Sequence, residues 1–242
     1  MKKILAVALA CTVSSFAAWD KFPVIEEGKG QVKIGTEQSR QSTEEIDGGF
    51  GVKVRYSPMA NLELTAQNWG DALGNYALGA RYQILPGMLS AGVEVGFPLN
   101  TTAWSFKPGV QFSMELSPAL SLGAGVDLSI YTETSESAGK YARGMDLDGG
   151  IELDFTMGQS TIWVAFDAKA GLGTSSVDGT EFKDVPMKLE GRELKLTPAV
   201  GYFASIKETI EVGTWVGFTI GSVNNDEADI TTIVGIDASV KF

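Results

Sequence analysis

From residue 30 almost to residue 242, apolar and polar side chains alternate with a period of two. In the stretch 49–57, Phe50, Val52, Val54 and Tyr56 fall on one face, while Gly51, Lys53 and Arg55 fall on the other. The stretch 89–97 sets Leu89, Ala91, Val93, Val95 and Phe97 against Ser90, Gly92, Glu94 and Gly96. Alternation of this kind marks a strand whose two faces meet unlike surroundings. It recurs over 75–84, 104–116, 120–130, 145–157, 162–172, 194–204, 210–220 and 230–242, and more weakly over 32–36 and 62–68. The expected fold is all-β, with about twelve strands and a range of about ten to fourteen set by the weak stretches.

Strand length and connection length narrow the class. Strands of globular proteins run to about five or six residues, whereas a tilted strand crossing a bilayer needs about nine to eleven. Most of the alternating stretches are of the second kind. Tight turns are expected at 58–61, 86–87, 117–119 and 158–160, where Pro, Gly, Asn and Ser collect, and at the short polar run Lys207-Glu208-Thr209. The intervening connections, 39–47, 70–74, 98–102, 132–142, 173–190 and 221–229, are polar and mostly longer. Short turns at one end and longer loops at the other describe a closed, antiparallel, up-and-down transmembrane β-barrel.

The polar face settles which side is wet. Asp146, Asp148, Glu152 and Asp154 all lie opposite Leu147 and Ile151. Burying four carboxylates in a dry core costs several kcal/mol each. A water-filled interior removes that cost and leaves the apolar face to lipid. Closure is then required, because every backbone N–H and C=O in lipid needs a partner. Trp69, Tyr76, Phe97 and Trp104 lie near the long-loop ends of their strands, and Tyr56, Phe112 and Phe242 near the opposite ends, as two aromatic girdles would. Trp163 and Trp215 turn inward on the same register, either to pack across the interior or to meet a flat solute.

The start of the chain departs from this pattern. Lys2 and Lys3 precede an apolar run over 4–10, and Ser15-Phe16-Ala17 places small residues at −3 and −1 of a leader-peptidase site. Residues 1–17 are therefore expected to be a cleaved signal peptide, residues 18–29 a periplasmic segment and residues 30–242 the barrel. A lipoprotein cut before Cys11 is the weaker alternative, since Ala8 stands where that signal favours Leu. Removal of the leader takes away the single cysteine and two lysines, so a disulfide framework is excluded. The formal charge of −11 becomes more acidic still, which argues against nucleic acid as a partner.

The last strand carries Val234, Ile236, Ala238, Val240 and a terminal Phe242. This resembles the C-terminal assembly signal of Gram-negative outer-membrane proteins. Joined to the leader and the loop pattern, it makes the chain similar to the outer-membrane porin and porin-like barrel class from about residue 30 onward. The resemblance implies residence in the outer membrane, contact with its lipid, and recognition by the outer-membrane assembly machinery. It brings no catalytic or ligand motif.

The chain contains no histidine. The usual general base and the commonest transition-metal ligand are thus missing, and barrel phospholipases and omptin-type proteases both depend on that residue. No enzymatic activity, cofactor or metal is expected. The run Asp146-Leu147-Asp148-Gly149-Gly150 is superficially like a calcium loop, but position twelve would be Met157 rather than Glu, and strand alternation explains it better.

Function is expected on the inward face. The candidate pore-lining residues are Lys53, Arg55, Arg81, Glu94, Lys107, Asp127, Asp146, Asp148, Glu152, Asp154, Asp167 and Lys169. Acids gather on strands seven to nine and face the bases of strands two and four, which would set a transverse field and a mild cation preference. Inward glycines, among them Gly79, Gly92, Gly96, Gly123, Gly125, Gly213 and Gly217, would leave space. The expected function is passive diffusion of small hydrophilic solutes or ions. The alternatives are a non-conducting structural or surface-recognition barrel, with the connection 173–190 as its binding loop, and a soluble periplasmic β-barrel carrier.

Overall fold

The computed structural model describes residues 21–41, 46–70, 75–98, 104–135, 140–178, 181–182, 194–207, 209–223 and 227–242. The expected leader, residues 1–17, and residues 18–20 lie outside these. Among the described residues there are thirteen strands. In chain order they are β1 (Gly30–Gln41), β2 (Ile46–Met59), β3 (Leu62–Gly70), β4 (Asn75–Leu85), β5 (Leu89–Pro98), β6 (Trp104–Ser117) and β7 (Leu120–Ser135). They continue with β8 (Lys140–Met157), β9 (Ser160–Asp178), β10 (Glu181–Phe182), β11 (Leu194–Lys207), β12 (Ile210–Val223) and β13 (Glu227–Lys241).

Each strand pairs antiparallel with its neighbour, and β10 is a two-residue extension on the end of β9. β9 pairs on its other side with β11, and β13 returns to β1. Twelve strands thus form a closed ring. At the seam the Gly30 N–H donates to the Phe242 carbonyl at 2.8 Å, and the Phe242 N–H donates to the Gly30 carbonyl at 2.9 Å. One circuit of the register returns about 14 residues along β1, which with twelve strands gives a tilt of about 40° and a backbone radius of about 11 Å.

Side-chain polarity is inverted relative to a globular protein. Ile34, Leu78, Ile151, Phe166, Val234 and Ile236 are exposed on the outer surface, whereas Lys53, Arg55, Glu63, Arg81, Glu94 and Asp237 are buried within. The greasy face therefore needs an apolar solvent, and the ring satisfies the backbone without a free edge. Tyr76, Phe97 and Trp104 form one aromatic cluster at the long-loop rim, with centroids 6.0 and 5.8 Å apart. Tyr56, Phe155, Tyr202 and Phe242 are exposed toward the other rim. The side chain of Trp69 lies outside the description.

The tight turns at 58–61, 86–87, 117–119 and 158–160 fall where turn residues predict them, and Glu208 of the fifth lies outside the described residues. Asn61, Gly87 and Gly158 take positive φ of 66°, 74° and 62°. Glycine and asparagine tolerate that conformation, which most side chains resist. The other end differs from expectation. β7 runs to Ser135 and β8 starts at Lys140, with Thr132 opposite Arg143 and Thr134 opposite Tyr141. Most of the expected loop 132–142 is therefore strand, and β9 likewise continues to Asp178. Polar residues there occupy both odd and even positions, so the period-two signal fades while threonine still favours extended backbone. A bulge between Met145 and Asp146 marks where the extension begins. The Asp146–Gly150 run is continuous strand within β8 rather than a loop.

Candidate functional site: the barrel interior

Strand alternation turns all the candidate side chains inward, and they divide into two walls. On β2 to β6, the buried Glu63 carboxylate lies 2.8 Å from Arg55 and 3.1 Å from Arg81. Arg81 is 0% exposed and Glu63 1%. The Arg55 guanidinium also donates to Gln31 at 3.3 Å. Next along this wall, Glu94 accepts from Gln67 at 2.8 Å and faces Lys107 at 3.9 Å. The bases of this wall are held against carboxylates, in a ladder where β-pairing sets Glu63 directly across from Arg81 and Glu94 across from Lys107.

The second wall, β7 to β9, is acidic and more open. Asp148 accepts from Ser129 at 2.9 Å, and Asp146 pairs with Lys169 at 2.9 Å. The side chains of Asp146, Glu152 and Asp167 keep about a quarter of their surface accessible, at 24%, 25% and 24%. Asp127 and Asp154 share this wall. Among the described residues no group of three or more carboxylates is arranged to hold a metal ion.

The third sector, β9 and β11 to β13, is aromatic. Trp163 sits opposite Gly201, Phe203 opposite Gly213 and Trp215 opposite Gly235. In each pair the ring fills the place a glycine Cβ would occupy. The three rings touch in series, with Trp163 centroids 6.2 Å from Phe203 and 6.4 Å from Trp215. The inward tryptophans therefore pack against the wall, and the space attributed to Gly213 is taken by Phe203. Lys33 lies 5.5 Å over the Phe203 ring and 3.1 Å from Asp237. Gly235→Val would strike the Trp215 indole, since a Cβ there falls against Nε1 and Cε2 of that ring. The expected result is a red-shifted tryptophan emission, absent in a Trp215→Phe background, with about 1–3 kcal/mol lost in a urea titration.

The described part of the segment expected in the periplasm, residues 21–29, makes its contacts inside the barrel. Gly28 N–H donates to the Ser57 carbonyl at the short-turn rim. Ile25 N–H donates to Glu63, and Arg81 donates to the carbonyls of Phe22 and Pro23 at 2.9 and 3.5 Å. Lys21 reaches the other wall, 2.6 Å from Asp167 and 4.0 Å from Glu152. The physical reason is complementarity: buried guanidinium N–H groups need acceptors, and an acid-rich wall attracts an ammonium group. Backbone carbonyls carry no mark in a sequence, and the charge of Lys21 is the one sequence feature that could point to this contact. Glu63, Lys33 and Phe203 are further contributors that stand outside the candidate set. Their facing follows from alternation, but their partners do not.

Closure, inverted polarity and a charged interior together define a membrane-spanning β-barrel. Comparison places the fold among outer-membrane barrels. An outer-membrane channel from Pseudomonas putida F1 superposes with a TM-score of 0.65 at 10% identity, over 95% of this chain and 100% of that one. The NanC porin gives 0.56 at 11% identity, over 84% and 98%, and the KdgM porin 0.51 at 13% identity, over 85% and 97%. No family model and no curated protein matches the sequence.

Proposed function

We propose that this protein is an outer-membrane channel for passive diffusion of small hydrophilic solutes, with a mild preference for cations. One observation carries the reading. The bases of β2 to β6 include guanidinium groups buried against Glu63, whereas carboxylates on β7 to β9 keep accessible surface. A permeating ion on that side meets more negative than positive charge, and a narrow low-dielectric bore amplifies the difference. The porin fold of the superposed proteins supports the same reading, and a C-terminal strand of the Val234–Phe242 type supports delivery by the assembly machinery.

Planar-bilayer recording under a salt gradient tests it. The expected reversal potential has the sign of cation selectivity, and Asp146→Asn with Asp167→Asn reduces it. An anion-selective sign in the unaltered protein rejects the charge reading. A second reading, a non-conducting barrel, is favoured by one observation, the passage of residues 21–25 through the interior. Uptake of small sugars by liposomes separates the two: swelling supports a channel, and its absence supports a closed barrel.

A further inference from the structure

We propose that residues 21–25 act as an internal strap that narrows the lumen and sets its charge selectivity, with Lys21 as the residue that tunes it. The inference rests on the channel reading above and deepens it. Adjacent residues of the strap are tied to opposite walls: the Phe22 carbonyl to Arg81 on β4, and Lys21 Nζ to Asp167 on β9. Counted around a ring of twelve, β3–β4 and β8–β9 stand nearly opposite each other. The chain between them therefore lies across the bore, not along one side.

The anchors divide the strap into a fixed and an adjustable part. Gly28, Ile25, Pro23 and Phe22 are held by backbone hydrogen bonds to Ser57, Glu63 and Arg81. These place the backbone whatever the side chains are. Lys21 is held by charge, and its side chain is more deeply covered than the two acids it meets, at 12% accessible against 25% and 24%. Its body lies against β7, where a Cβ on Gly123 would come 2.8 Å from the Lys21 Cβ. Gly123 thus supplies not open lumen but the seat of the strap. The ammonium group places a positive charge between Glu152 and Asp167, on the wall from which the cation preference arises. Lys21 consequently holds that preference down.

The test joins a geometric readout to an electrical one. A Cβ at 123 stands 2.8 Å from the Lys21 Cβ and 2.9 Å from the Lys21 carbonyl oxygen, closer than the usual disulfide Cβ–Cβ span of about 3.5–4.5 Å. In a Cys11→Ser background, Lys21→Cys with Gly123→Cys therefore bridges once the strap backs off by about 1 Å. The expected result is an intrachain disulfide in the folded, detergent-extracted barrel, seen as loss of thiol labelling that reductant restores. In bilayers, Lys21→Ala and Lys21→Glu are expected to raise the cation-over-anion permeability ratio, by about two-fold or more for the charge reversal, together with unit conductance. Failure of the disulfide while both thiols label in the folded barrel overturns the strap. A conductance and permeability ratio indifferent to Lys21→Glu overturns its role in selectivity, even where the disulfide forms. If the unaltered protein and every variant fail to conduct although the bridge forms, the channel reading itself falls and the selectivity role with it.

Discussion

Glu63→Leu is expected to lower the stability of the folded barrel by about 3–5 kcal/mol, read as a lower urea midpoint for the refolded protein in lipid vesicles. The size follows from what the carboxylate holds. Arg55 and Arg81 both lie within 3.1 Å of it, and the Ile25 N–H lies at the same distance. Removing the acid takes the shared counter-charge from two buried guanidinium groups, whose Gln31, Phe22 and Pro23 acceptors are neutral. A buried charge that loses its counter-ion costs far more than a surface pair contributes. The double variant Glu63→Leu with Arg81→Leu is expected to recover part of the loss, because one of the two guanidinium charges is removed and Arg55 keeps Gln31 as an acceptor. A Glu63→Leu barrel that unfolds at the unaltered midpoint would show that Arg55 and Arg81 find other acceptors within the wall.

Ile151→Arg is expected to cost about 2–4 kcal/mol of stability in vesicles, and Met157→Arg about 0–1. The two residues share β8 and both face outward, at 51% and 58% exposure. They differ only in height: Ile151 lies midway between the Met145 bulge and the short turn, and Met157 ends the strand beside that turn. Guanidinium in mid-hydrocarbon has no partner, whereas at the rim it reaches headgroups and water. Equal costs at both positions, or no cost at either, would sink the assignment of this face to lipid.

Where each face of the chain meets a different medium, the fold is legible in the residues alone. The strands of the membrane belt, the inward turn of Lys53, Arg55, Asp146 and Asp148, and the turns at Asn61, Gly87 and Gly158 all follow from alternation and turn chemistry. Legibility fails for two physical reasons. The outer parts of β7, β8 and β9 carry polar residues at both odd and even positions, so no period shows, and their strands read as loops. The strap is held by carbonyl oxygens of Phe22 and Pro23, which every sequence possesses. Partner choice also escapes a one-dimensional pattern. Alternation predicts that Glu63, Arg55 and Arg81 face inward, but only the register of β2 with β3 and β3 with β4 makes Glu63 the shared partner.

The seam between β1 and β13 has a kinetic consequence. Gln31 pairs with Lys241 and Arg40 with Thr232, so the two strands that close the ring are the most distant in the chain. Neighbouring hairpins can zip locally, but this last ladder waits on a search over some two hundred intervening residues. Until it forms, a folding intermediate carries two unsatisfied edges inside an oily medium, each open to a second molecule. Closing that ladder, more than forming any single hairpin, is the pairing step with the largest loop-closure entropy.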